Sequence, residues 1–240
     1  GDVPRGVMLN QPPIFLGGQG GLAGPCRLGF GTVIAAGTIC RSDYPEGGRL
    51  IFGPERKTGQ HNFHPAIYHS IRRRTVNNII YIGNLYALRQ WYLHVRSLFF
   101  RGDYLSEELF QGVMDKLDLA LAERVKRLGA VAAKMSASIE SRRQLGTGKK
   151  LEAVTVRQRE LHENWPKIEA VLKAGRKEQG DSSSRDPFLE RLSRGAEKTK
   201  TDYISTIQEL EPTWSEKGSD WLQGIVDGIT RNVLDLLPSF

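Results

Sequence analysis

Glycine and proline are distributed so unevenly that they divide the chain into two parts with different folding possibilities. Residues 1–63 hold most of the turn-forming pairs, such as Gly17 with Gly18 and Gly47 with Gly48, and this density excludes long helices. From about residue 65, apolar residues recur at steps of three and four, the spacing of amphipathic helices. We therefore predict an N-terminal segment over 1–40, an irregular connector over 41–64 and a helical domain over 65–240.

The N-terminal segment has an internal period of six residues. Aliphatic side chains stand at Leu16, Leu22, Leu28 and Ile34, and glycine or alanine follows each of them. Such a repeat predicts a parallel β-coil in which the aliphatic residues fill the axis and small residues turn the corners. A glycine-rich loop that alternates by chance is the other interpretation. A phosphate-binding loop fits less well, because the Gly-Lys-Ser/Thr ending is missing.

The run LGFGTVIAAGTICRSD at residues 28–43 resembles the last coils of left-handed β-helix, or hexapeptide-repeat, transferases. Over residues 1–55 the chain is most similar to the C-terminal end of the bacterial bifunctional UDP-N-acetylglucosamine pyrophosphorylase/glucosamine-1-phosphate acetyltransferase. The resemblance implies an α+β fold class, with a short left-handed parallel β-helix followed by a mostly α-helical domain. It also implies earlier coils and a sugar-nucleotide-binding domain before Gly1 in a longer parent protein.

The resemblance further implies a function as the C-terminal fragment of a cytoplasmic sugar-nucleotide transferase. The β-helix end would serve assembly into a homotrimer and bind acyl-CoA through Ala36, with Arg56 or Lys57 replacing a family arginine. Acetyl-CoA would be the co-substrate, and magnesium would belong to the nucleotidyltransferase domain expected upstream. Because the family's catalytic histidine lies upstream and no histidine precedes His61, we expect the fragment alone to be inactive as an acyltransferase.

The helical domain is predicted to contain about five helices, over about 65–100, 106–145, 151–175, 186–210 and 213–237. Asp186 is the candidate N-cap of the fourth, and Pro166 favours a break or start near Asn164 in the third. The four tryptophans are predicted to be core residues. Nothing in this half resembles the acetyltransferase family. The alternative function is therefore a non-catalytic scaffold or oligomerisation module that binds a protein partner through its helices.

The net charge of +7 is concentrated in one segment. Residues 64–102 contain six arginines and no acidic residue, which argues for a local anionic contact and against general nucleic-acid binding. Arg74, Arg89 and Arg96 fall within roughly 120° of one another on a helix. They are candidates for binding the phosphate of a nucleotide, a nucleotide sugar or CoA, or an anionic sugar. A solvated face, or ion pairs with the later helices, is the other interpretation.

The remaining polar residues give weaker signals. His61, His64 and His69 have a spacing that could suit a metal or hold a general base, but histidines in loops are usually plain surface residues, and we predict no metal site. Two cysteines fit a reducing cytoplasm. No apolar run is long enough for a membrane span. The three asparagines of the first long helix are predicted to form interhelical hydrogen bonds or the wall of a site: Asn77, Asn78 and Asn84.

Overall fold

A computed structural model describes residues 1–53, 59–60, 64–100, 102, 104–144, 152–198 and 202–240. Within these residues most of the chain is helical. The helices are α1 (Val3–Gly6), α2 (Arg72–His94), α3 (Tyr104–Ala133), α4 (Met135–Gln144), α5 (Glu152–Glu163), α6 (Trp165–Ala174), α7 (Ser182–Lys198), α8 (Tyr203–Gln208) and α9 (Pro212–Leu234). Two short 3₁₀ turns, Arg96–Leu98 and Gly175–Lys177, follow α2 and α6.

The helices overlap the five predicted segments but divide them further. The predicted second segment breaks at Lys134, between α3 and α4. The third predicted segment breaks at Asn164. Pro166 lies in the first turn of α6, where a backbone nitrogen has no acceptor within the helix, so the missing N–H of proline costs nothing there. The predicted cap Asp186 is wrong, since α7 begins at Ser182. Asp181 caps that helix instead, because its carboxylate accepts from the backbone N–H of Ser183.

The helical core is built around α2 and α9. Ile79, Ile82 and Trp91 of α2 are fully or almost fully buried, as are the apolar residues that α9 presents at helical spacing. The Phe188 ring lies between two indoles, with centroids 6.0 Å from Trp91 and 6.1 Å from Trp221. The prediction of core tryptophans is thus confirmed for these two, whereas Trp165 and Trp214 are only partly buried.

The predicted left-handed β-helix is contradicted. Residues 1–53 contain five strands of two residues each: β1 (Phe15–Leu16), β2 (Gly21–Leu22), β3 (Val33–Ile34), β4 (Ile39–Cys40) and β5 (Leu50–Ile51). They form two small parallel sheets, ordered β1-β3-β5 and β2-β4. The four aliphatic side chains of the repeat do not share one axis: two are exposed and two are buried.

Two physical causes account for this difference. The register is not constant, because Phe15 pairs with Val33 eighteen residues on, whereas Val33 pairs with Leu50 seventeen residues on. In addition, a repeat buries its apolar face only against its neighbours, and within the described part of the chain β1 and β2 have a strand on one side only. Leu16 and Leu22 therefore lie exposed at these two strands, while Leu28 and Ile34 reach a small cluster with Cys40 and Ile51.

Glycines allow the layers of the N-terminal segment to approach closely. A Cβ atom added to Gly29 would lie 2.5 Å from the backbone nitrogen of Gly47, and one added to Gly47 would lie 2.3 Å from the carbonyl oxygen of Phe30. Only residues without a side chain fit such a contact. The glycine content that excludes helices is therefore required by backbone packing at these positions.

A polar junction joins the N-terminal segment to α2. The Asn77 amide donates to both oxygens of Asp43, at 2.9 and 3.0 Å. The backbone N–H of Arg27 also donates to this carboxylate, and Arg73 lies 3.4 Å from it. Of the three asparagines, Asn84 forms one of the predicted interhelical bonds, because its partner Val3 belongs to α1. Asn77 binds the N-terminal segment, Asn84 accepts from the Val3 N–H, and Asn78 donates to the Arg74 carbonyl of its own helix.

Candidate assembly surface

The residues predicted to contact acyl-CoA are not assembled into a site within the described chain. Ala36 is exposed in the turn that follows β3. Arg56 and Lys57 lie outside the described residues. No geometry therefore supports a CoA pocket here, and the acyl-CoA assignment stays a prediction.

The three arginines predicted to bind an anion contact three different partners. Arg74 donates to the Ser70 carbonyl, and Arg89 pairs with Asp118 of α3 at 2.9 Å. Arg96 lies over the Tyr203 ring, 3.9 Å from its centroid. For Arg89 the structure therefore agrees with the other interpretation, an ion pair with a later helix. The assignment of these three residues to one anion site stays a prediction.

The histidines and cysteines do not form a reactive centre in the part of the chain that the structure describes. Cys26 and Cys40 do not form a disulfide with each other, and His61 lies outside the described residues. Among the residues described, no group of three histidine, cysteine, aspartate or glutamate side chains could hold a metal ion. Within the same residues, no helix combines the length and the apolar character needed to cross a bilayer.

An exposed row of apolar side chains crosses the three-stranded sheet. Phe15, Val33 and Leu50 are directly in register, and they are 60%, 38% and 62% exposed. Phe52 directly follows β5, two residues after Leu50, and lines the same surface depression as Leu50. It is also exposed. We call these four residues the apolar row.

The opposite face of this sheet is buried at β3 and β5, whereas Leu16 of β1 is exposed. Ile34 and Ile51, one residue after Val33 and Leu50, are 2% and 8% exposed. Parallel sheets are normally covered on both faces, and among the described residues the chain covers this sheet only on the face of Ile34 and Ile51. The apolar row is therefore an unpartnered sheet face.

Around the β1 and β3 end of the row the chain has few charged residues. Arg27 is the only charged residue between Gly6 and Cys40. Solitary sheets usually protect their edges and faces with lysine, other charges or proline. On the β5 side, Glu46 and Arg49 pair with each other and contribute no net charge. A surface of this kind can face an identical surface without bringing like charges together.

The edge of this region is also open. In the parallel ladder the Phe15 N–H donates to the Thr32 carbonyl at 2.9 Å, and the Gly21 N–H donates to the Thr38 carbonyl at 3.1 Å. Alternate residues of a strand direct their backbone groups to opposite sides. Leu16 and Leu22, which each follow one of these donors, therefore direct theirs away from the sheet, on a side where the described residues provide no neighbouring strand.

The sequence contained a signal for the apolar row that the six-residue repeat obscured. Phe15 and Val33 each precede an aliphatic residue of the repeat, so the strands have apolar residues on both faces. Such strands are typical of a sheet buried on both sides. The six-residue repeat assigns a structural role to one residue in six, and it assigns none to the apolar residue that precedes it, such as Phe15 or Val33.

Comparisons with protein-family models, with curated proteins and with solved structures find no match to this chain. The geometry of its surfaces therefore carries the functional argument.

Proposed function

We propose that this protein is a non-catalytic scaffold that associates with copies of itself through the apolar row. The observation that carries the proposal is the register of Phe15, Val33 and Leu50, which places three exposed apolar side chains side by side on an uncovered sheet face. Water-exposed apolar patches of this kind mark interaction surfaces.

The size of the row supports association between copies. Its four side chains expose on the order of 400 Å² of apolar surface. A standard interface buries about 800 Å² on each partner, a little over half of it apolar. The row thus supplies the apolar core of one such interface, and the turns beside the strands supply a polar rim.

The charge distribution favours a second copy over a partner of opposite charge. Between Gly6 and Cys40 the N-terminal segment has a single charged residue, Arg27, whereas the whole chain carries +7. A partner selected by charge would bind elsewhere, at the arginine-rich helices. The trimer implied by the resemblance to hexapeptide-repeat transferases is one arrangement that we propose for the copies. The transferase activity of a longer parent protein stays a prediction, tested by titration with acetyl-CoA and UDP-N-acetylglucosamine.

Light scattering coupled to size-exclusion chromatography tests the proposal. We expect a mass above the 26.9 kDa protomer that rises with protein concentration, because association follows mass action. Leu50→Glu should shift the protein to the monomer, since it places like charges in a symmetric contact. The matched control is Leu119→Glu on α3, since Leu119 is also 62% exposed.

Phe52→Ser provides a second variant that adds no charge, and it should weaken association less than Leu50→Glu. Circular dichroism verifies that the variants keep the helical content of the unmodified protein. A monomeric mass for the unmodified protein at every concentration would refute the proposal. Equal masses for Leu50→Glu and Leu119→Glu would refute the role of the apolar row in particular.

A further inference from the structure

A cleft of about 620 Å³ lies between α2, α3 and α6, away from the apolar row. Its apolar lining includes Leu121 and Val125 of α3, both almost fully buried, and the partly exposed indole of Trp165. Gly129 makes room for this indole, since a Cβ atom there would lie 2.7 Å from the Trp165 ring. The volume is within the range of small-molecule sites.

Hydrogen bonds hold the walls of the cleft together. The buried Tyr86 of α2 donates its hydroxyl to the Leu172 carbonyl of α6 at 2.7 Å. Burial raises the pKa of this tyrosine, so its hydroxyl stays protonated and remains a donor. Gly175 packs against the same ring, since a Cβ atom added to it would lie 2.9 Å from Cε2 of Tyr86. The cleft is therefore preformed.

Two arginines share one carboxylate at the rim. Asp118 accepts from Arg89 at 2.9 Å through one oxygen and from Arg176 at 2.7 Å through the other. This group keeps one positive charge in excess. Arg176 is 59% exposed, and a guanidinium has five N–H donors, of which the Asp118 contact uses one. The other donors of Arg176 are available to an anion.

The two lysines of the cleft add to this charge. Lys173 is paired with Glu169 at 2.7 Å, whereas Lys126 forms no ion pair with any residue that the structure describes. Counting Arg89, the cleft and its rim have four basic and two acidic side chains. The cleft thus combines an aromatic wall with a net positive rim.

We propose that this cleft binds a nucleoside phosphate, with the base against Trp165 and the phosphate on Arg176 and Lys126. Flat rings pack on indole faces, and guanidinium groups bind phosphate oxygens in a bidentate manner. The site differs from the anion site predicted from the sequence. It uses Arg89 only as a positioning residue, which acts through Asp118, and leaves Arg74 and Arg96 out.

Isothermal titration calorimetry with ADP, adenosine and pyrophosphate tests the two halves of the site separately. We expect ADP to bind. Adenosine, which lacks the phosphates, and pyrophosphate, which lacks the base, should each bind at least about tenfold more weakly. ADP binding should also weaken as salt is added. Quenching of tryptophan fluorescence by ADP should disappear in Trp165→Phe.

The variant Arg176→Gln should weaken ADP binding about tenfold or more. Its matched control is Arg127→Gln, which changes an arginine of α3 that is 76% exposed and is paired with Glu123. The control should bind ADP within about twofold of the unmodified protein. No heat with ADP at about 1 mM, affinity for pyrophosphate equal to that for ADP, or equal losses in the two variants would each overturn the proposal.

Discussion

The junction at Asp43 gives the sharpest test of how the N-terminal segment is held. Asp43→Ala removes a carboxylate that accepts from the Arg27 N–H and, through both oxygens, from the Asn77 amide. Asn77 is 5% exposed, and among the described residues its amide would keep only one acceptor, the Pro25 carbonyl at 3.2 Å. The variant therefore leaves a buried amide with an unsatisfied donor.

The expected loss follows from these contacts. An unsatisfied buried donor costs about 1–3 kcal/mol, and the lost backbone bond from Arg27 adds about 1 kcal/mol. The Arg73 pair, long at 3.4 Å and partly exposed, adds less than about 1 kcal/mol. We expect the segment to lose about 2–4 kcal/mol of stability against opening, the sum of the two larger costs.

Amide hydrogen exchange measures this loss locally. The Val33 N–H donates to the Arg49 carbonyl at 2.8 Å, so its exchange reports opening of the strand layers. A loss of 2–4 kcal/mol predicts that exchange accelerates by about 30- to 1000-fold. Glu46→Ala, which removes only an exposed ion pair, is the control and should change exchange by less than about threefold. Acceleration in Asp43→Ala no larger than in the control would refute the reasoning.

Three further predictions concern single positions. Gly29→Ala should destabilise the segment by about 2 kcal/mol or more in urea unfolding, because its Cβ would meet the Gly47 backbone nitrogen at 2.5 Å; unchanged stability would exclude that close approach. Gly112→Ala should stabilise the protein by about 0.5–1 kcal/mol, because the position is helical and has open space around it, and a lower Tm would contradict this. The pKa of His94 is lowered mainly by burial, so the folded state binds the proton less readily than the unfolded state. Stability should therefore be full above the ordinary pKa of about 6.5 and fall as the pH drops below it. His94→Gln should flatten this decline in urea unfolding between about pH 7 and pH 5, and an unaltered slope would exclude the residue as its source.

The sequence predicts the helices well where apolar spacing alone determines them. In α9 the pattern of Trp221, Ile225, Ile229 and Val233 describes one face, and all four side chains are buried. It predicts helix ends poorly, because a cap is a local contact that competing residues can provide. Asp181 and Asp186 both stand where a cap could form, and only the hydrogen bonds to Ser183 distinguish them.

The N-terminal segment could not be predicted to the same depth, because its structure depends on contacts between layers distant in sequence. The aliphatic repeat indicates which residues are small and which are apolar. It does not show that the register shifts between β3 and β5, nor that Leu16 and Leu22 remain uncovered. The cleft was missed for a related reason: Asp118 and Arg176 are far apart in sequence, and only the packing of α3 beside α6 brings them together.

Helix α2 connects the two proposed surfaces and fixes the distance between them. Asn77 near its start binds the N-terminal segment, and Arg89 near its end holds Asp118 at the cleft. Twelve residues of helix separate them, which corresponds to about 18 Å along the axis. Because Ile79 and Ile82 between these points are fully buried, α2 cannot shift without disrupting the core. Copies joined through the apolar row would therefore hold their clefts at fixed positions, since each cleft is tied to its row through one buried helix.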